Sequence, residues 1–366
     1  MTAHPFRFTV TSEELTRFPE ARAALASRRS VKDIAGARFQ ADSMPNQSVC
    51  RDLYGDLPLG MYHLPKGRVQ GFNGIILAED GSPIIEQNAG LLTQEDFLPA
   101  LVKASSEPCA LSSAARTSTL LSLLSTCSGC FWHWMMDSLP KVFLAERMGY
   151  KGSYLIPSPI ELPWALESLR LIGIDESRYV PFNGASHSAE TLLVPTYFSG
   201  FNIPWNQDFI LSYRSWFLSF LAEGARQASR VYIPRRDTAH ARRVVNHKEV
   251  ERLLVEFGFE TVYFEELSPP EQLALAARTQ AVVAPHGSGL THTLFMPQNS
   301  RVIELFPYQR QGACDCYEQV AAIVPHSYVS LESPKDLGTD IHVDLSTLRE
   351  ALKTMLPLGT AIASQV

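Results

Sequence analysis

The chain has 366 residues, 45% of them hydrophobic, which is enough to bury substantial cores and suggests two domains of ordinary size. Its 32 Lys and Arg residues against 38 Asp and Glu residues give a net charge of -6, which argues against broad, nonspecific affinity for nucleic acid. The sequence has neither an apolar run long enough to cross a membrane nor a signal-peptide pattern, so it predicts a soluble, cytoplasmic protein, with association at the inner face of a membrane left open.

The first part of the chain predicts an arm followed by an α/β domain. Residues 1–57 are weakly patterned and are expected to form a peripheral arm with one helix interrupted by Pro19. Short β-like segments follow, with a turn at Asp80-Gly81. The next predicted elements are helices at 97–104, 131–148 and 164–172 and strands at 153–156, 179–182 and 191–194. Their alternation predicts parallel βαβ units, so residues 58–205 are expected to form a first α/β domain.

The segment around residues 131–140 contains a candidate general base. His133 and Asp137 are four residues apart and therefore share a helix face. A carboxylate beside an imidazole is suited to removing a proton from an alcohol, and Leu139-Pro140 predicts a kink in the helix close to this pair. The alternative is a surface ion pair or a core histidine with satisfied hydrogen bonds.

The second part of the chain alternates more regularly. A stretch rich in Gly, Pro, Asn and aromatic residues at 198–207 indicates a domain boundary, and residues 206–335 predict a second doubly wound domain. Its predicted helices are at 208–222, 248–257, 270–278 and 289–295, and its strands at 230–235, 260–264, 281–285 and 301–306. Residues 336–366 predict a C-terminal helix at 345–355, with leucines on one stripe that pack back on the body, and a tail.

Four arginines follow the first strand of this second domain, at Arg235, Arg236, Arg242 and Arg243. Ligands of open α/β sheets lie at the carboxyl ends of the strands, where guanidinium groups can clamp a diphosphate. A solvated run of charges is an equally weighted alternative.

The segment 281–307 is the most informative, because it predicts a strand, a glycine-bearing turn, a helix and a second strand in immediate succession. Gly287 and Gly289 allow a diphosphate to approach backbone N–H groups at a helix N-terminus. The alternative is an ordinary α/β connection that binds no ligand, because the segment has neither the spaced glycines of a dinucleotide-binding turn nor the lysine of a phosphate-binding loop. Glu304 ends the second strand, where it can accept hydrogen bonds from a ribose diol or hold a neighbouring loop.

The six cysteines do not form a recognisable metal site. They are Cys50, Cys109, Cys127, Cys130, Cys314 and Cys316. Cys127 and Cys130 have the spacing of a zinc knuckle or redox motif, but no second pair matches, and Cys314 and Cys316 are too close in sequence for a zinc hairpin. We interpret all six as buried or unreactive thiols. No Asp-x-Asp triplet occurs, so no metal and no cofactor is predicted.

Three segments together carry a family resemblance: HWMMDSLPKVF, YIPRRDTAHARRVVNHKEV and VVAPHGSGLTHTLFMPQNSRVIELFP, in this order. They resemble glycosyltransferase family 61, including its bacterial polysaccharide-biosynthesis members, over residues 64–325. The resemblance implies a GT-B fold of two Rossmann-like domains facing a cleft, with the acceptor side in 58–205 and the nucleotide-sugar donor held by 206–335. It also implies metal-independent, inverting transfer to a hydroxyl of a glycan or glycolipid, in capsular, O-antigen or other surface polysaccharide synthesis, with UDP-sugars as the favoured donors.

The resemblance implies that Arg235 meets the donor phosphates, that residues 286–289 form the donor-contacting turn, and that His133 and Asp137 belong to a motif of the acceptor-side domain. The chemistry of the residues leads to the following hypothesis for the roles of single side chains. Asp137, assisted by His133, is the expected base, and Trp132 and Trp134 are expected to stack on the acceptor sugar unless they belong to the core. The residues expected to contact the donor are Arg235, Arg236, Arg242, Asn246, His286, Gly287, Ser288, Gly289, Leu290, Thr291 and Glu304. The chain departs from the family at Cys130-Phe131-Trp132, where members often have a small or aromatic pair before the histidine.

Two other functions stay open at this level. A serine hydrolase would use Ser288 on its tight turn, but the nucleophile elbow requires glycine two positions earlier, where His286 stands. A noncatalytic protein that binds nucleotide sugars or glycans would bind the donor without releasing nucleotide. Oligomeric state is not predicted.

Overall fold

The computed structural model describes residues 27, 29–43, 50–52, 55–57, 59–84, 102–104, 117–125, 129–158, 162–182, 184, 186–196, 206–221, 229–236, 242–310 and 314–356. Most of the predicted arm, the first five residues of the helix predicted at 97–104, the predicted boundary loop up to residue 205, Cys109 and Cys127 lie outside these residues. The chain divides into two compact units, Met1–Tyr213 and Arg214–Val366. The four-part division predicted from the sequence stays a prediction.

The first unit is built on a mixed sheet. Its strands are β1 (Arg38–Ala41), β2 (Cys50–Asp52), β3 (Gly55–Leu57), β4 (Gly60–Pro65), β5 (Arg68–Gln70), β6 (Ile75–Leu77), β7 (Thr117–Ser122), β8 (Ser153–Ile156), β9 (Tyr179–Pro181) and β10 (Ser186–Pro195). The main order is β1-β4-β10-β7-β8-β9, β5 pairs with both β10 and β6, and β2 and β3 form a separate hairpin. Part of the predicted peripheral arm therefore belongs to the sheet, because β1 pairs with β4.

The helices of this unit connect its parallel strands. Helix α1 begins as Phe131–His133, continues through a π-helical segment, Trp134–Ser138, and ends as Leu139–Arg147. Helix α2 is Pro163–Leu171. Strands β7, β8 and β9 run parallel in sequence order, and β10 pairs in parallel with the other edge of β7. The strand order therefore reverses between β7 and β10, and α1 follows β7.

The second unit is a parallel sheet of five strands in the order β12-β11-β13-β14-β15. The strands are β11 (Ser229–Tyr232), β12 (Glu260–Thr261), β13 (Thr279–Pro285), β14 (Arg301–Phe306) and β15 (Ser327–Glu332). Strands β13 and β14 are almost continuously buried, as expected for parallel strands that are covered on both faces. The order reverses between β11 and β13, which is where open α/β sheets bind ligands.

The helices surround this sheet and enclose its core. They are α3 (Gln207–Leu218), α4 (His247–Glu256), α5 (Pro269–Ala276), α6 (Cys316–Ile323) and α7 (Leu345–Met355). The boundary between the two units falls within α3. Helix α7 packs on α4 and β15 through Leu348 and Leu352, which confirms the predicted C-terminal helix and its leucine stripe. Among the described residues, no helix combines the length and the apolar character that crossing a bilayer requires.

The α/β class predicted from the sequence agrees with these two units, and the GT-B arrangement stays a prediction. The predicted strands 153–156 and 301–306 are confirmed residue for residue. Two elements differ. The strand predicted at 260–264 ends at Thr261 and is followed by a 3-10 helix, Phe264–Glu266. The helix predicted after the glycine turn is a 3-10 helix, Ser288–Phe295, rather than an α-helix.

Candidate functional site

The glycine turn of the second unit lies at the reversal of strand order. Strands β11 and β13 are neighbours, and Ile233, just after β11, donates its N–H to the Val283 carbonyl at 2.9 Å. The turn itself packs against the end of β11, because a Cβ atom at Gly289 would lie 3.3 Å from Ile233 Cγ2. The loop after β11 and the turn after β13 therefore meet at one place.

Gly287 is the point on which the arginines of this loop converge. Its φ of 154° and ψ of 179° belong to a region that only glycine adopts readily. A Cβ atom here would lie 2.8 Å from Nη1 of Arg235 and 3.9 Å from Nη1 of Arg242. Arg242 also donates to the His286 carbonyl at 3.2 Å. The structure thus brings the turn together with Arg235 and Arg242, which precede Gly287 by 52 and 45 residues in the sequence.

This arrangement has the chemistry of an anion site. Two half-buried guanidinium groups lie against the N-terminus of the Ser288–Phe295 helix, whose first turn closes through a hydrogen bond from Leu290 N–H to the Gly287 carbonyl at 2.9 Å. Backbone N–H groups at a helix N-terminus and guanidinium forks both favour negative charge and can hold phosphate oxygens. The missing Cβ at Gly287 lets the guanidinium of Arg235 approach the backbone closely.

The side chain of His286, a residue of the turn, belongs to a buried hydrogen-bond network. Its Nδ1 lies 2.5 Å from Glu304 Oε1, and the Tyr328 hydroxyl donates to Glu304 Oε2 at 2.6 Å. Both carboxylate oxygens of the fully buried Glu304 are therefore engaged, which supports the structural alternative for this residue over contact with a ribose. The His286 ring also stacks on Phe306, with ring centroids 5.2 Å apart.

Desolvation and hydrogen bonding act in opposite directions on this network. Burial lowers the pKa of His286, but hydrogen bonds with Cys314 and Glu304 outweigh it, so the pKa lies above its ordinary value. Burial raises the pKa of Glu304, and the hydrogen bonds from His286 and Tyr328 oppose that shift only in part. The sequence analysis missed Cys314 and Tyr328, because only tertiary folding brings them to His286 and Glu304.

The other predicted donor residues have different surroundings. Arg236 is exposed, pairs with Glu266 and lies over the ring of Tyr263, 4.4 Å from its centroid. Asn246 donates to the Val343 carbonyl at 2.8 Å and accepts from the Val343 N–H at 3.0 Å. These contacts give Arg236 and Asn246 structural roles, and their contact with a donor stays a prediction.

The remaining predicted donor residues lie in the 3-10 helix itself. Leu290 and Thr291 are fully buried within it, and Ser288 is half-buried at its start. Thr291 Oγ1 has no hydrogen-bond partner among the described residues. The His286 ring directs its Nδ1 to Glu304, which does not favour a hydrolase that would use Ser288.

The first unit contains the predicted pair of His133 and Asp137. His133 Nδ1 lies 2.7 Å from Asp137 Oδ2, and the two side chains are only 7% and 1% exposed. The structure therefore confirms that the two residues meet on one helix face, and it excludes the alternative of a surface ion pair. Their helix follows β7, at the carboxyl ends of the strands where the order of this sheet reverses.

A π-helical turn shapes α1 at this pair. The N–H of Leu139 bonds to the carbonyl of Trp134, five residues earlier. The next bond in that pattern would join Pro140 to Met135, but proline has no N–H. The Tyr213 hydroxyl donates to the Met135 carbonyl instead, at 2.9 Å. The chain therefore accommodates Pro140 through a π-helical turn at the place where the sequence predicted a kink, and such turns are frequent at functional sites.

A third charged group, Lys141, lies one further turn along α1. It is buried, and its Nζ makes one long hydrogen bond to the described residues, 3.4 Å from the Leu124 carbonyl. Burial lowers the pKa of Lys141 to about 8, against the attraction of Asp137. Burial raises the pKa of Asp137 above its ordinary value, and the hydrogen bond with His133 and the charge of Lys141 oppose this shift. The sequence analysis missed Lys141, although its spacing from Asp137 repeats that of Asp137 from His133.

The two tryptophans beside this pair are buried. Trp134 is completely inaccessible and donates its indole N–H to Ser168 Oγ at 2.7 Å. Trp132 is 6% exposed. The expectation that Trp134 stacks on an acceptor sugar is wrong for this structure, because the ring belongs to the core, as the alternative stated. Acceptor binding by Trp132 stays a prediction.

Metal-ligating residues do not cluster in the part of the chain that the structure describes. No group of three or more His, Cys, Asp or Glu side chains is arranged there to hold an ion. Cys130 lies at the start of α1 and is half-buried and not in a disulfide.

A comparison with protein-family models gives a match. Residues 131–303 match the family model described as Glycosyltransferase 61. The matched range begins at the first residue of α1 and contains His133, Asp137, Arg235, Arg242 and Gly287. A comparison with curated proteins found no match. Over these 173 of its 366 residues, the chain is therefore similar to the glycosyltransferase 61 family.

Proposed function

We propose that this protein is an inverting, metal-independent glycosyltransferase that transfers a sugar from a nucleotide-sugar donor to a hydroxyl of a glycan acceptor. A UDP-sugar is the favoured donor, and the biological role is cell-surface polysaccharide synthesis. The observation that carries the proposal is the convergence of Arg235 and Arg242 on Gly287, at the reversal of strand order in a parallel sheet.

The donor side of the reaction needs charge that is fixed in advance. As the bond between sugar and phosphate breaks, negative charge grows on the leaving diphosphate. Arg235, Arg242 and the backbone N–H groups of residues 287–289 supply positive charge and hydrogen-bond donors at the turn. The buried hydrogen bond between His286 and Glu304 fixes the turn, so its hydrogen-bond donors need no reorganisation during the reaction.

The acceptor side needs a base. Asp137 takes the proton of the acceptor hydroxyl as that oxygen attacks the anomeric carbon from the face opposite the leaving group, which inverts the configuration. Burial raises the pKa of Asp137, which makes the carboxylate a stronger base than an exposed aspartate. The hydrogen bond from His133 fixes the carboxylate orientation, and one base is sufficient for a single displacement.

The experiment that tests this proposal separates binding from transfer. We expect Asp137→Asn to abolish sugar transfer but to retain UDP binding in calorimetry. We expect Arg235→Ala to weaken UDP binding about tenfold or more, because it removes a charge-assisted hydrogen bond. The controls are Asp208→Asn and Arg170→Ala, at exposed residues that lie outside the proposed site. Full turnover by Asp137→Asn would remove Asp137 as the base.

The same assays distinguish the other functions. A noncatalytic binding protein would bind UDP-sugars but release no UDP with any acceptor. Reaction of Ser288 with a fluorophosphonate probe would favour a hydrolase. Undiminished transfer after dialysis against EDTA is expected for the proposed mechanism, and activity that returns only on addition of a divalent cation would contradict metal independence.

A further inference from the structure

Cys314 and Cys316 form a thiol pair that the proposed sugar transfer does not use. Their Sγ atoms are hydrogen-bonded at 3.1 Å, and neither cysteine is in a disulfide. Cys316 is the buried first residue of α6, and Cys314 precedes the helix and is half-buried. The two sulfurs are therefore close enough to react with each other after a small movement, and Cys314 is the more accessible of the two.

Cys314 has the neighbours that activate a thiol. Its sulfur lies close enough to His286 for the two groups to shift each other's pKa, and His286 Nδ1 contacts the fully buried Glu304. A thiol beside an imidazole that a carboxylate orients is the arrangement of an activated cysteine nucleophile. The hydrogen bond with Cys316 and that with His286 outweigh burial and lower the pKa of Cys314 to about 5, whereas the pKa of Cys316 is raised. The two thiols therefore differ in acidity, and Cys314 is the more acidic of the two.

We propose that Cys314 and Cys316 are a redox-active dithiol site, which low-molecular-weight disulfides oxidise to an intramolecular disulfide, with Cys314 as the nucleophile. The thiolate of Cys314 attacks one sulfur of the small disulfide, a mixed disulfide forms, and the first small thiolate leaves. Cys316 then attacks Cys314 Sγ, and the second small thiolate leaves. Two protons, one from each original thiol, pass to the two small thiolates, and two electrons pass from the cysteines to the oxidant.

Oxidation also acts on the glycine turn through His286. When Cys314 bonds to Cys316, the thiolate that raises the pKa of His286 is lost, so the His286 ring carries less positive charge. The backbone carbonyl of the same residue accepts a hydrogen bond from Arg242, which connects this change to the glycine turn. We therefore expect the oxidised form to hold the Arg242 and Gly287 arrangement less firmly and to bind UDP more weakly. This consequence rests on the proposed function, whereas the thiol chemistry does not.

The test uses the full-length reduced protein and glutathione disulfide, followed by peptide mass spectrometry. In the wild type we expect the segment with Cys314 and Cys316 to lose two hydrogen atoms. Cys316→Ser should accumulate a mixed disulfide with glutathione at Cys314, because the second attack is removed. Cys314→Ser should form neither product, and the control Cys130→Ser should behave like the wild type.

Two further outcomes decide the proposal. A wild-type pair that stays reduced, or that stops at a mixed disulfide, would overturn it, and so would equal reactivity of Cys316 in the Cys314→Ser variant. Circular dichroism checks that each variant is folded, and the wild-type masses remain decisive if a variant is not.

A second measurement tests the activation of Cys314. We expect Cys314 in the wild type to be alkylated by iodoacetamide already at about pH 6, where an ordinary thiol is protonated and slow. A rate that increases only near the pKa of an ordinary thiol would contradict the role of His286. If the disulfide forms but UDP does not bind to either redox state, the thiol proposal stands and the proposed function fails.

Discussion

At the level of single residues, burial controls the carboxylates on both sides of the proposed reaction. Asp137 and Glu304 are 2% and 0% exposed, and burial raises the pKa of each. In both cases a histidine is in direct contact and lowers the pKa, and at Asp137 the charge of Lys141 adds to this effect. The protonation state of each carboxylate therefore depends on its charged neighbours.

This dependence predicts a shift in the pH profile of transfer. A base must be deprotonated, so kcat/KM is expected to fall as the pH decreases through the raised pKa of Asp137. Lys141→Met removes a positive charge that lowers this pKa, so the acidic limb should move to higher pH, by about one unit. The measurement is kcat/KM against pH for Lys141→Met and for the control Lys151→Met, at an exposed lysine. An unchanged acidic limb in Lys141→Met would show that Lys141 does not act on the base.

The backbone conformation of Gly287 leads to a second prediction at the scale of single residues. In Gly287→Ala the new Cβ would meet the guanidinium of Arg235 at 2.8 Å, and the backbone conformation there is costly for alanine. We expect a loss of about 1–3 kcal/mol in the free energy of unfolding and weaker UDP binding. Chemical denaturation and calorimetry measure both quantities. Gly129→Ala is the control, because among the described residues no atom outside its two chain neighbours lies within 4 Å of its Cβ position. Equal UDP affinity in both variants would contradict the role of the turn.

At the level of elements, α1 shows how one proline changes a helix beside a candidate base. Pro140 cannot donate to the carbonyl of Met135, and the Tyr213 hydroxyl takes the place of the missing N–H at 2.9 Å. The π-helical segment Trp134–Ser138 contains Asp137. The position of the proposed base therefore depends on a hydrogen bond from α3.

This pairing predicts a coupling that a double-mutant cycle can measure. Tyr213→Phe leaves the buried Met135 carbonyl without its donor and should cost about 1–3 kcal/mol of unfolding free energy. In a Pro140→Ala background the alanine N–H can donate to the helix, so the same change should cost less. Urea denaturation of the two single variants, the double variant and the wild type gives the coupling. Additive effects would show that Pro140 and Tyr213 act independently.

At the level of the whole molecule, the two units repeat one topological feature. Each sheet reverses its strand order once, between β7 and β10 in the first unit and between β11 and β13 in the second. The candidate base belongs to the helix that follows β7, and the arginines and glycine turn follow β11 and β13. The proposed reaction therefore assigns one carboxyl-terminal sheet edge to each substrate.

Hydrogen exchange of the full-length protein tests the donor assignment. We expect UDP to slow amide exchange at residues 233–236 and 286–291 and to leave α7 unchanged. At a UDP concentration one hundred times its dissociation constant, stability should increase by about 2.7 kcal/mol, visible as a higher melting temperature. Protection confined to segments of the first unit would contradict donor binding by the second.

Particular residues show how far the sequence alone can predict this site. The pair of His133 and Asp137 was predictable, because helical periodicity places residues four apart on one face, and the same spacing makes Lys141 predictable in hindsight. The meeting of Arg235 with Gly287 was predictable from parallel strand order, since carboxyl ends share one edge. Cys314 and Tyr328 were not predictable, because no local pattern relates them to His286 and Glu304.

The sequence by itself determined the α/β alternation, the candidate base pair and the glycine turn, because each depends on local periodicity or on chain order. The tertiary structure alone decided that Trp134 lies in the core and that Glu304 and Cys314 lie beside His286. It also decided that the Tyr213 hydroxyl donates to the Met135 carbonyl in place of the N–H that Pro140 lacks. These contacts join side chains from elements far apart in the chain, and their partners depend on how sheets and helices pack.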